Sequence, residues 1–91
     1  MHYDLITEPQ FTRDVKKAKK KGRDLNKMFD LVRMLCEGDQ LPPKYRDHKL
    51  YDSSDLKNVR ECHILEDWLL IYRKEENTVR LIRMGTHDEL F

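Results

Sequence analysis

Residues 59–84 hold three apolar, β-prone runs with almost nothing between them. The first, 59–65, is separated from the second, 68–73, by Glu66-Asp67 alone, and Glu75-Glu76-Asn77 precedes the third, 78–84. Links this short can only fold a strand back on its neighbour, because parallel pairing needs a crossover of about a dozen residues or more. The segment is therefore an antiparallel three-stranded meander, and one of its faces has to be covered.

The preceding half supplies the cover. Phe11, Val15 and Ala18 recur at near-helical spacing after Pro9, which suits a first helical turn, and Gly22 ends the segment. Asp24 is placed to cap a second helix whose stripe is Leu25, Met28, Leu31, Val32, Leu35 and Cys36, ending at Gly38. Residues 3–7 read as a short strand ahead of this helical hairpin. Residues 40–45, with Pro42-Pro43, form a loop that continues through Asp47, His48, Lys49 and Leu50, and Asp52-Ser53-Ser54-Asp55 is turn-prone. The expected fold is α+β: an N-terminal strand, a two-helix hairpin, the meander, and a short turn or helix after Gly85. At 91 residues one domain, 1–91, with one small core and a thin stability margin is expected.

Charged and hydrophobic residues each make up 38% of the chain, which suits a charged surface over a compact core and argues against disorder. No apolar run is long enough to span a bilayer, and Met1-His2-Tyr3-Asp4 lacks the plan of a signal peptide, so a cytoplasmic protein without membrane contact is expected. Cys36 and Cys62 agree with a reducing compartment and form no metal motif. A net charge of +1 says nothing about nucleic acid, but Arg13, Lys16, Lys17, Lys19, Lys20, Lys21 and Arg23 crowd the first helix, opposed only by Asp14. Such a run is either a phosphate footprint or a solvated helix face.

Three of the four histidines, His48, His63 and His87, lie in the second half, together with Asp67 and Arg83. Alternation puts Arg60, Cys62 and Ile64 on one face of the first meander strand and Glu61 and His63 on the other, so His63 is expected on an open sheet surface. The meander can bring these residues together, with His48 entering from its loop. Metal ligation is one reading, but the spacings match no metal motif and Arg83 in their midst would repel a cation. Acid–base catalysis is a second: two histidines can take one proton and give another, while an arginine grips phosphate. Scattered surface residues are the third.

Three stretches, "YRDHKL" (45–50), "RECHILEDWLLIYR" (60–73) and "RMGTHDELF" (83–91), together resemble the YafQ-like branch of the RelE/ParE toxins of bacterial type II toxin–antitoxin modules. The resemblance spans nearly the whole chain. It implies a RelE-like fold and a ribosome-dependent endoribonuclease that cleaves mRNA without metal or other cofactor, contacts ribosomal RNA, and is neutralised by a cognate antitoxin. It implies catalytic roles for His48, His63, Asp67, Arg83 and His87. Trp68, Phe91, Arg13, Lys16, Lys17 and Lys20 would bind RNA, and the free toxin would be a monomer. The alternative is a non-enzymatic module of the same fold inhibiting a protein target such as gyrase. Two departures stand out: residues 51–58 lack the glycines expected there, and the low net charge confines any basic face to the first helix. In this light Gly85 permits a sharp turn that delivers His87, and Phe91 either stacks on a base or plugs the core.

Overall fold

The computed structural model describes residues 2–38, 40–50 and 59–91. Strand β1 (Asp4–Thr7) leads into helix α1 (Pro9–Lys20), which begins on Pro9 and carries Lys17, Lys19 and Lys20 in its last turn, where cations offset the helix dipole. Helix α2 (Leu25–Glu37) starts on Asp24, whose carboxylate accepts from the Asn26 N–H at 3.0 Å, and stops at Gly38 in the left-handed region (φ 80°). After a 3₁₀ turn over Pro43–Tyr45 come strands β2 (His48–Lys49), β3 (Val59–Leu65), β4 (Trp68–Lys74) and β5 (Thr78–Gly85), then the one-turn helix α3 (His87–Leu90).

The expected meander forms the middle of a five-stranded sheet ordered β1-β5-β4-β3-β2. Two features were not anticipated. β1 lies parallel beside β5, an arrangement open to it because the intervening helices supply the crossover. His48, expected in a loop, stands on β2, pairing with Glu61; a two-residue strand is too short to leave a periodic trace. The turn expected at 52–55 and the atypical stretch 51–58 lie outside the described residues.

Phe11, Ala18, Met28, Leu31, Val32 and Leu35 from the helices pack on Cys62, Ile64, Trp68, Leu70, Tyr72, Val79, Leu81 and Met84 from the sheet. The opposite face is not the open surface expected. Residues paired across antiparallel strands share a face, so His48, Glu61, Ile71 and Arg83 form one cross-strand row and His63, Leu69 and Gly85 the next. Val59, Glu61, Leu69 and Ile71 are all buried there, and only 12% of the His63 side chain is exposed.

Candidate active site

Four rings stand in file along one edge of that second face. The ring centroids of His48 and His63 are 6.5 Å apart, those of His63 and His87 6.1 Å, and those of His87 and Phe91 6.3 Å. Each histidine comes from a different element, and each is fixed by a local device.

His48 is set by the residue before it. Asp47 accepts from the Tyr72 hydroxyl at 2.6 Å and from Arg60 at 3.0 Å, which pins the entry to β2 against β3 and β4. Burial, and then the bond to Asp47, push the Tyr72 phenol well up, so it remains a donor. The His48 ring has Nδ1 3.0 Å from the carbonyl oxygen of Lys49 and Nε2 3.2 Å from Glu61 Oε1. His63 repeats the pattern, with Nδ1 3.2 Å from the carbonyl oxygen of Glu66 and Nε2 3.8 Å from the same Glu61 oxygen. A carbonyl only accepts, so hydrogen bonding assigns the N–H of each ring to Nδ1. Two Nε2 lone pairs then face a carboxylate that is only 5% exposed.

His87 is delivered by α3. The Thr86 hydroxyl accepts from the Glu89 N–H at 3.2 Å and the Glu89 carboxylate accepts from the Thr86 N–H at 2.9 Å, a reciprocal cap. Glu89 is also gripped by Lys17 at 2.9 Å and Lys21 at 2.8 Å, so α1 holds α3 in place. The hydrogen bond from Lys21, then those from Thr86 and Lys17, hold the Glu89 carboxyl far below its ordinary value. His87 Nδ1 lies 2.9 Å from Asp67 Oδ1 at the β3–β4 turn, and that bond lowers the Asp67 carboxyl. The His87 Nε2 is left for chemistry.

His48, His63, Asp67, His87 and Phe91 thus come together, and Glu61 joins them. Sequence reasoning placed Glu61 on the His63 face but gave it no role. The available signal was a carboxylate in mid-strand among residues that the pattern requires to pack. Asp47 was passed over as part of a loop.

Arg83 is held by α1. Its Nε and one Nη donate to Asp14 of α1 at 3.0 and 3.2 Å, and Asp14, 6% exposed, also accepts from the Met84 N–H. The fork expected to grip phosphate is closed on a carboxylate, because a buried acid in α1 needs a cationic partner. Trp68 departs further. It is 1% exposed, packed in the core, with the Arg23 guanidinium 5.2 Å over its ring, so neither face is offered to a base. Gly85 is not a left-handed hinge. A Cβ there would come within 3.2 Å of Glu89, so the missing side chain makes room for α3. Of the basic residues, Lys17 is occupied by Glu89, while Arg13, Lys16 and Lys20 are exposed on α1. Phe91 is 63% exposed and plugs nothing.

Donor atoms of His48, Glu61 and His63 all lie within 4.8 Å of one another, a set suited to a transition-metal ion. Asp14 offsets the charge of Arg83, so that guanidinium does not bar a cation from this set.

Residues 3–91 match the family model described as the bacterial toxin of type II toxin–antitoxin system, YafQ. The mRNA interferase toxin YafQ of an Escherichia coli B strain is 39% identical over 89 residues, covering 97% of this chain and 95% of that one. Among solved structures, the E. coli DinJ–YafQ toxin–antitoxin complex matches with a TM-score of 0.92 at 37% identity over 100% of this chain and 99% of that chain. A metal-bound toxin from Helicobacter pylori matches with a TM-score of 0.89 at 41% identity over the full length of both chains.

Proposed function

The chain belongs to the YafQ family of type II toxins, and from that membership we propose that it cleaves messenger RNA on the ribosome by metal-free acid–base chemistry. The observation that carries the mechanism is the His63–His87 pair. The two rings lie 6.1 Å apart, and each has its Nδ1 anchored, His63 on a carbonyl and His87 on Asp67.

One histidine station takes the proton of the 2′-hydroxyl as that oxygen attacks the adjacent phosphorus. The other gives a proton to the departing 5′-oxygen, leaving a 2′,3′-cyclic phosphate and a 5′-hydroxyl. The RNA supplies the nucleophile, so the protein needs only to move protons and hold charge. Glu61 lies against both His48 and His63 and orients the rings. Asp67 keeps the His87 tautomer and orientation, as a carboxylate does for a catalytic imidazole. Phe91 offers a stacking surface to an unstacked base, and Arg13, Lys16 and Lys20 meet RNA phosphates. Arg83 contributes charge through the nitrogen not bonded to Asp14. A cognate antitoxin, as in the E. coli DinJ–YafQ complex, restrains the activity. A gyrase-type inhibitor would need neither the file of imidazoles nor the Asp67 anchor.

His63→Ala and His87→Ala are each expected to lower cleavage on translating ribosomes by about a hundred- to ten-thousand-fold, His87→Ala with a melt close to that of the unmutated toxin and His63→Ala with a lower one, because its side chain is only 12% exposed. Near-normal cleavage by both folded variants would falsify the catalytic assignment.

A further inference from the structure

A cleft of about 530 Å³ opens beside His63, lined by Lys27 and Asp30 of α2, by Lys44, Tyr45 and Arg46, and by residues 63–66. Its volume falls in the range of about 300–1,000 Å³ typical of small-ligand sites, enough for a nucleotide. Lys27, Lys44 and Arg46 are all exposed. Two acids also stand on its rim, Asp30, which lies 3.8 Å from Arg33, and Glu66.

Arg46 is the informative residue. It sits in the left-handed region at φ 48° and ψ 44°, the one such non-glycine residue among those described, with its N–H donating to the Pro43 carbonyl. That backbone disfavours any residue with a Cβ, and glycine would occupy it freely. A strained cation on the wall of a cleft next to an acid–base residue indicates that the side chain is kept for use. Two of the three nitrogens of the Arg83 guanidinium are meanwhile engaged by Asp14.

We propose that this cleft seats the RNA nucleotide next to the scissile bond, with Arg46 gripping its phosphate and Lys27 and Lys44 flanking it. The proposal rests on the ribonuclease reading above. The ligand chemistry is an RNA phosphodiester, supplied by the message.

The test measures binding, not cleavage. Affinity of the toxin for ribosomes programmed with a message of 2′-O-methyl riboses, which cannot react, is compared with that for vacant ribosomes across a salt series. Arg46→Gly is expected to bind about tenfold more weakly and to flatten the salt dependence by about 0.7 in log–log slope, the share of one single-strand phosphate contact. It should melt at the same temperature as the unmutated toxin or higher, because glycine relieves the backbone. Lys27→Ala and Lys44→Ala should each flatten the slope further. Loss confined to programmed ribosomes supports the proposal; equal loss on both particles places the contact on ribosomal RNA and overturns it. Unchanged affinity and slope in Arg46→Gly, Lys27→Ala and Lys44→Ala overturn the proposal, as does failure of the unmutated toxin to bind either particle. A toxin that binds through the cleft yet is unaffected in cleavage by histidine substitution sinks the ribonuclease mechanism alone.

Discussion

At the scale of single residues, the site is a matter of which groups already have partners. Glu61→Gln keeps the shape of the side chain but removes the carboxylate shared by His48 and His63. It is expected to reduce cleavage on ribosomes at near-normal stability, and unchanged cleavage would separate Glu61 from the chemistry. Copper or zinc ions should compete for the same Nε2 atoms and inhibit, while a chelator leaves activity intact once the ribosome's magnesium is restored. Loss of activity on chelation would mark a metal enzyme instead. Arg83→Ala should first cost stability, about 1–3 kcal/mol, because it removes the cation that satisfies buried Asp14; an unchanged melt would contradict that. Arg83 and Trp68 also mark where the sequence was silent. His63, Asp67 and His87 were legible because their types and spacing are unusual. The partners of Arg83 and Trp68 come from helix α1 and from Arg23, far along the chain, and no local pattern announces them. Trp68→Phe should therefore be mild, since the indole N–H has no partner among the described residues, whereas Trp68→Ala should cost about 3–5 kcal/mol.

At the scale of elements, helix α3 is a four-residue piece that stays folded only because other elements hold it. Its cap, the two lysines of α1 and the absence of a side chain at Gly85 act together. Glu89 titrates well below its unfolded value, so its contribution to stability is whole above about pH 4.3, the ordinary glutamate value. That contribution drains away as the pH falls through the range beneath. Melts of the unmutated toxin should fall through that range more steeply than those of Glu89→Gln, which has nothing left to titrate there; parallel curves would show that the clamp does not matter. Gly85→Ala should push α3 outward and lower cleavage more than it lowers the melting temperature. The helices and the meander were readable because each repeats its own period over many residues. Strand β2 and the parallel docking of β1 were not, because one is too short to have a period and the other depends on which edge remains free.

At the scale of the whole molecule, the sheet order places β5 between β1 and β4, so that Asp4 meets Thr78 and Thr7 meets Leu81. Among the described residues no helix is long and apolar enough to cross a membrane. Within the sheet the hairpins β3–β4 and β4–β5 are local and need only short loops to close. The β1–β5 pairing must close nearly the full length between them, at an entropic cost that local contacts cannot repay early. Kinetically, the strand that presents Arg83 and leads to His87 acquires its last neighbour late. In a refolding experiment the meander should therefore form before ribonuclease activity appears, with activity tracking the closing of β1 onto β5; coincident rates would remove the lag. A newly made toxin would then pass through an interval in which its chain is largely ordered but harmless, and a partner that captured it in that interval would meet a target that cannot yet cut.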